Sequence, residues 1–283
     1  MSAMAAAPTV RRRRLGMALR RLRDNAEMTL EQASEAAGVS GSHVSRIERA
    51  QVAAGVKVIK ALLDAYGADE QTSAELLEIA GEAGRRGWWH RYSRGNLIPP
   101  EYAALIQFEA AASEIRTFEP MIIPGLLQTS AYAQARLTSG PVRLTADRIE
   151  ARVQVRAERQ RILDRDDPPV VSVVIDEAVI RRKVGGADVM RQQLLHVAAL
   201  AERPNVDVQV VPFSEGAYAG TSPFVILSFE GEGDVIYLET MAGNIYPESE
   251  TAYYRDTFAR IQQDALSKDR SVDLIRKAAE EFK

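Results

Sequence analysis

Along the first eighty residues the apolar positions recur at helical spacing. Leu15, Leu19 and Leu22 fall three or four residues apart, with Ala18 and Ala26 in the same stripe, and predict an amphipathic helix from Leu15 onward. Thr29 is a good N-cap with Gln32 three positions later, the pattern of a capping box; it predicts a second helix over 30–37. That helix stops at Gly38, where a left-handed backbone costs little. Ser40 caps a third helix with Val44 and Ile47 on its inner side. A fourth over 56–66 turns Val58, Ile59, Leu62 and Leu63 inward, and a fifth over 72–80 carries Leu76, Leu77 and Ile79. Five short helices with a tight Gly38-Val39-Ser40 corner between the second and third make a compact all-α unit.

Past residue 80 the pattern changes. Gly81, Gly84 and Gly87, with Arg85-Arg86 among them, mark a boundary. Next comes Trp88-Trp89-His90-Arg91-Tyr92, a dense aromatic patch that either offers a ligand or partner surface or pins the linker onto the C-terminal domain. Helices are predicted over 102–113, 131–137, 146–163 and 188–202, and amphipathic stretches over 250–265 and 269–282 close the chain. Extended segments are predicted over 115–118, 170–175, 206–211, 224–229 and 235–239. The last two flank Glu230-Gly231-Glu232-Gly233-Asp234 and read as a hairpin. Strands mixed with helices and one hairpin argue an α+β domain around a mixed or antiparallel sheet. The fold class expected is therefore multidomain.

At 283 residues the chain is long for one core, and 46% hydrophobic with 27% charged residues is a globular composition. No apolar run approaches the roughly 18 residues that span a bilayer, and the Ala-rich opening precedes its basic run, the wrong order for a secretory signal. With no cysteine, disulfides and thiolate sites are excluded, and a cytoplasmic location with no membrane partner fits. Net charge is −3, but residues 1–66 carry 11 Lys and Arg against 6 Asp and Glu, a surplus of five that leaves −8 for the rest. Phosphate binding depends on local charge, so the partition permits a nucleic-acid partner at the N-terminal end. Arg11 to Arg14 could lie along phosphates or be a solvated tail.

The string from Met28 to Arg49 resembles the lambda-repressor-like (XRE, Cro/cI) helix-turn-helix family, with Gly38-Val39-Ser40 and Val44-Ser45-Arg46-Ile47-Glu48 in register. The resemblance covers about 65 residues. It implies a DNA-binding transcription regulator whose third helix lies in the major groove. Burying Val44 and Ile47 turns Ser40, Gly41, Ser42, His43, Ser45 and Arg46 outward or toward that groove. By match to the family, Ser42 and Arg46 read bases and Ser40 and His43 sit at the base or backbone margin; Thr29 and Arg49 complete the expected contact set. The fork of Arg46 can engage guanine O6 and N7 together, or else hold a phosphate. Gly41 withholds a side chain from readout. Arg23 and Glu48 are implied to form a salt bridge between the first and third helices, as scaffold rather than contact. Leu30 and Ala33 depart from the family, which often has Gln and Leu there.

Trp88-Trp89, the run from Phe118 to Thr129 with Pro124-Gly125-Leu126-Leu127-Gln128-Thr129, Ala131-Tyr132, and Asn205 to Phe213 resemble the C-terminal domain of actinobacterial WhiJ-like regulators. That resemblance implies a small cognate protein partner, in an arrangement like a toxin–antitoxin pair. The division expected is a disordered basic arm over 1–14, the helix-turn-helix domain over 15–82, a linker over 83–100 and an α+β regulatory domain over 101–283. A homodimer reading an inverted-repeat operator in double-stranded DNA is expected, since one small reader gains little specificity alone. The alternative for the large domain is a small-molecule sensor.

Enzyme chemistry is hard to assemble. His43, His90 and His196 are the only histidines and have no metal-ligand spacing. Gly231-Glu232-Gly233 lacks a third glycine and has acidic flanks, and Gly185-Gly186 lacks the Lys-Ser/Thr of a phosphate loop. Asp176-Glu177 beside Arg181-Arg182-Lys183 could be an acid–base cluster, though such a run is more often a solvated helix face. No catalytic residue, cofactor or metal is expected.

Overall fold

Leu15 and Leu19 lie on the buried side of α1 (Val10–Asn25), which opens the N-terminal unit in the computed structural model. The structure describes residues 10–82, 92, 97–140, 143–220, 222–230, 233–240, 243–247 and 250–282. Helix α1 begins five residues before the predicted start, so residues 10–14, expected in the arm, are its first turns. Arg13 explains part of the extension, because its guanidinium lies 5.8 Å from the Phe108 ring centre and gains a cation–π contact there. The helix ends at Asn25, which leaves Ala26 exposed in the turn rather than in the apolar stripe.

Four further helices complete the unit: α2 (Leu30–Ala37), α3 (Gly41–Glu48), α4 (Val56–Ala65) and α5 (Glu70–Glu82). Their core joins Leu15, Leu19, Ala33, Val44, Ile47, Ile59, Leu62, Leu63, Tyr66 and Leu76, with Val58, Leu77 and Ile79 packed at its margin. Ala33 is fully buried, so the smaller side chain that departs from the family is accommodated in the packed core. Asp69 starts α5 by accepting from the Thr72 backbone N–H at 2.8 Å and the Thr72 hydroxyl at 2.7 Å.

The described residues fall into two compact units. Those up to 82 group with 99–108; Tyr92 and 97–98 group with those from 109 on. Helix α6 (Pro100–Ala111) therefore has residues in both. Trp88 to Arg91 lie outside the described residues. Tyr92, the last residue of the aromatic patch, is buried and donates its hydroxyl to Gln154 Oε1 at 3.4 Å.

The second unit is a six-stranded sheet in the order β3-β2-β1-β4-β5-β6. Strands β1 (Glu114–Glu119), β2 (Val170–Asp176) and β3 (Val206–Val211) are parallel. Parallel neighbours need long crossovers. These run through α7 (Ser130–Thr138) and α8 (Ala146–Gln160) between β1 and β2, and through α9 (Glu177–Arg181) and α10 (Ala187–Leu200) between β2 and β3. The predicted hairpin forms as β4 (Phe224–Ser228) and β5 (Val235–Thr240), antiparallel to each other, with β4 antiparallel to β1. The sheet is thus mixed. Strand β6 (Gly243–Ile245) pairs with β5 and has no counterpart among the predicted segments. Helices α11 (Thr251–Asp264) and α12 (Lys268–Glu281) close the chain, α12 packing on α10 and β3.

The outer backbone of β3 is occupied by the α11–α12 corner. Val210 N–H donates to Ser271 Oγ at 3.0 Å, Leu266 N–H donates to the Val210 carbonyl at 2.9 Å, and Lys268 Nζ donates to the Val206 carbonyl at 2.8 Å. No helix among the described residues is long and apolar enough to cross a membrane.

Candidate nucleic-acid interface

Helix α2 is framed by local chemistry. Gln32 N–H donates to Thr29 Oγ1 at 3.3 Å while Thr29 N–H donates to Gln32 Oε1 at 2.8 Å, the reciprocal capping box. At its far end Gly38 takes φ +64°, a left-handed stop that a β-carbon would disfavour. The chain then turns into Ser40, whose Oγ accepts from His43 N–H at 3.2 Å and lies 3.0 Å from Ser42 Oγ. Helix α3 is thereby started by a residue that also stands at its exposed tip.

The sides of α3 are sharply divided. Val44, Ile47 and Glu48 are buried; Ser40, Ser42, Arg46 and Arg49 are exposed; Gly41, His43 and Ser45 are half-buried. Thr29 is exposed beside the start of α2. Arg49 folds back, its Nε donating to the Ser45 carbonyl at 3.2 Å. A β-carbon on Gly41 would meet nothing closer than the Leu30 carbonyl at 3.5 Å, so the fold does not demand glycine there.

Two points on α1 hold α3 in place. Arg23 Nε and Nη2 donate to Glu48 Oε1 and Oε2 at 2.8 and 3.0 Å, and Arg23 Nη1 donates to the Met28 carbonyl at 2.9 Å. The Glu48 bond holds the Arg23 guanidinium even more firmly charged, against the effect of burial. Tyr66 approaches Glu48 Oε1 at 3.5 Å, and burial, with the Glu48 charge adding to it, pushes its hydroxyl up so that it stays protonated. The salt bridge implied between Arg23 and Glu48 is present, as a bidentate pair. At the other point Gly16 sits where a β-carbon would come within 2.5 Å of the Glu48 carbonyl and 2.7 Å of that of Ile47. Gly16→Ala must therefore push α1 off α3, with an expected loss of about 1–3 kcal/mol. Urea unfolding of the variant checks this; an unchanged midpoint would show that the helices separate freely.

Sequence reasoning did not select Lys57 and Lys60, both exposed on α4 just beyond α3. Their only signal was position, two cations on the polar side of an otherwise apolar helix.

In the second unit, the Pro124 to Thr129 run is a structural knot. Gln193, fully buried, accepts from Thr129 N–H at 2.7 Å and donates to the Leu127 carbonyl at 2.6 Å. Gln128 Nε2 donates to the Ile123 carbonyl at 2.7 Å, and Ile123 N–H donates to the Tyr132 hydroxyl at 3.1 Å. The charged run after β2 serves as caps and pairs. Asp176 accepts from Ala178 N–H and from the Tyr218 hydroxyl, both at 2.7 Å, while Glu177 pairs with Arg181 at 3.0 Å. At the carboxyl end of β1, Glu119 is pushed up to about 8 by burial and the nearby Glu239 charge; bonds from Ile122 and Met121 N–H and the Arg136 charge oppose the shift.

A capped α2, a left-handed corner and an α3 with one buried and one polar side define a helix-turn-helix DNA-binding regulator, and residues 14–76 match a helix-turn-helix domain family. Residues 102–277, more than half of the chain, match the family described as a domain of unknown function (DUF5753). The protein belongs to that family. No curated protein and no solved structure matches the chain.

Proposed function

We propose that the protein is a homodimeric, sequence-specific transcription regulator of the lambda-repressor-like type, with α3 seated in the major groove. The observation that carries the reading is the exposed Ser42–Arg46 side of a helix whose other side is buried and clamped by Arg23 and Gly16. A reader that presents base-contacting groups from a rigid helix loses little order on binding. Ser42 and Arg46 read base edges; Thr29, Ser40, Gly41, His43, Ser45 and Arg49 border them, and Lys57 and Lys60 add positive charge for the backbone. The reading unit runs from α1, which takes in residues 10–14 of the expected arm, to 82; 83–100 is the linker, and 101–283 dimerises. Two heads spaced about one helical turn, roughly 34–36 Å, match an inverted repeat.

Control of the 101–283 domain by a small cognate protein, as in WhiJ-like regulators, is the preferred arrangement. The second reading, a small-molecule sensor, draws on Glu119: a carboxyl with a pKa raised by burial at the carboxyl end of parallel strands, where α/β sheets place ligands. Isothermal titration of the full chain against the product of a neighbouring small gene and against metabolite extracts separates the two.

The DNA reading is tested by footprinting on the gene's own promoter with Arg46→Ala alongside. Loss of about 1–3 kcal/mol of discrimination at one base step per half-site is expected. An equal loss on every sequence would make Arg46 a phosphate contact instead, and blank gel shifts on all genomic fragments would sink the reading.

A further inference from the structure

Gly16, Gly38 and Gly67 in the N-terminal unit each answer to the fold. The first stands where the backbone of α3 leaves no room for a β-carbon, and the other two take left-handed φ values of +64° and +67°. Gly41 does neither. It lies in the first turn of α3 without a left-handed φ, and glycine weakens a helix relative to alanine. The nearest atoms a β-carbon on it would meet are the carbonyl oxygen, carbonyl carbon and β-carbon of Leu30, at 3.5, 3.7 and 3.9 Å, all ordinary contact distances. Neither packing nor backbone geometry within the chain therefore calls for glycine at this place.

Leu30 is the second half of the feature. It opens α2 directly after the exposed Thr29 cap, packs at the margin of the N-terminal core and is only half-buried, so part of its apolar side chain stays at the surface. The hydroxyls of Ser40 and Ser42, the two neighbours of Gly41 in the chain, lie 3.0 Å apart. The bare Cα of Gly41 beside Leu30 thus makes a small apolar notch between the starts of α2 and α3, on the helix that carries the exposed Arg46.

Base edges in the major groove offer hydrogen-bonding oxygens and nitrogens and a single apolar group, the C5-methyl of thymine. A polar edge pressed against the notch would lose water and gain no partner, whereas a methyl group gains by leaving water. We infer that the notch receives a thymine C5-methyl in each half-site, which makes Gly41 and Leu30 specificity-determining residues. The methyl group fills the space that a side chain at position 41 would take. The inference rests on the proposed seating of α3 in the major groove.

Footprinting of the full chain on the gene's own promoter supplies the duplex for the test. Each thymidine in turn is replaced by deoxyuridine, which keeps base pairing and removes only the methyl group. At one position per half-site wild-type binding is expected to weaken by about fourfold, the contribution of one buried methyl group. At that position Gly41→Ala is expected to bind the deoxyuridine duplex at least as tightly as the thymidine one, because its own methyl group now occupies the notch. Its thermal melt should stay level or rise. A scan in which no deoxyuridine weakens wild-type binding would overturn the notch and leave the seating of α3 intact. So would a Gly41→Ala protein that keeps the full thymidine preference, or one that melts lower, since the fold would then be what requires glycine. Wild-type protein that protects no DNA would sink the notch and the functional reading together.

Discussion

Glu48→Ala is expected to lower the stability of the N-terminal unit by about 3–5 kcal/mol. The loss has two parts. Both guanidinium bonds from Arg23 to Glu48 vanish, and Arg23 keeps its charge at only 13% side-chain exposure with only the solvent-exposed Asp24 carboxylate, 2.9 Å from Nη1, still beside it. Each kcal/mol shifts the melting temperature of a domain this size by roughly 4–8 °C, so the change is large in a thermal melt. DNA binding falls with it, because α3 loses one of the two points that fix it against α1. Arg46→Ala is the companion: its side chain is exposed, so under the proposed function the substitution is expected to weaken DNA binding and leave the melt unaltered. If the two variants melt together, the Arg23–Glu48 pair does not support the fold.

Glu119→Gln should change how stability depends on pH. The carboxyl of Glu119 lies near 8 in the folded chain against an ordinary value of 4.5, chiefly through burial and then the Glu239 charge. A folded-state pKa above the unfolded one means the native protein holds a proton that the unfolded chain has released. That contribution is complete below about 4.5 and is lost as pH rises through about 8. Between these limits the wild-type protein should lose up to about 1.4 kcal/mol per pH unit from this group. The glutamine variant keeps a neutral side chain of the same shape and should lose that slope. Urea midpoints measured at pH 5, 6.5 and 8 decide it; parallel curves for the two proteins would show that Glu119 is ionised in the fold.

The features legible in the sequence are those set by neighbours along the chain. Thr29 with Gln32, Gly38 and Ser40 each act within four residues, and each stands in the structure as its local chemistry dictates. The hairpin of β4 and β5 was legible for the same reason, two apolar runs with a short acidic turn between them. What spacing could not reveal is pairing at a distance. Ile115 and Val171 face each other across a parallel ladder, and nothing local states that β1 lies between β2 and β4. Glu109 and Arg159 stand 50 residues apart, so each alone reads as an ordinary charged helix residue. Arg23 and Glu48 were reached only through family resemblance. Three-residue β6 was too short to show alternation, and five-residue α9 was hidden in a charged run whose Asp176 caps it.

The outer rim of β3 has a consequence for how copies of this protein meet. A bare strand rim is a template on which any extended chain can lay down another strand, and aggregation starts there. Here Ser271 and Leu266 already occupy both backbone groups of Val210, and Lys268 occupies the Val206 carbonyl. A strand laid along that side would have to displace these bonds, which favours association through side-chain surfaces that can be selective about what they admit.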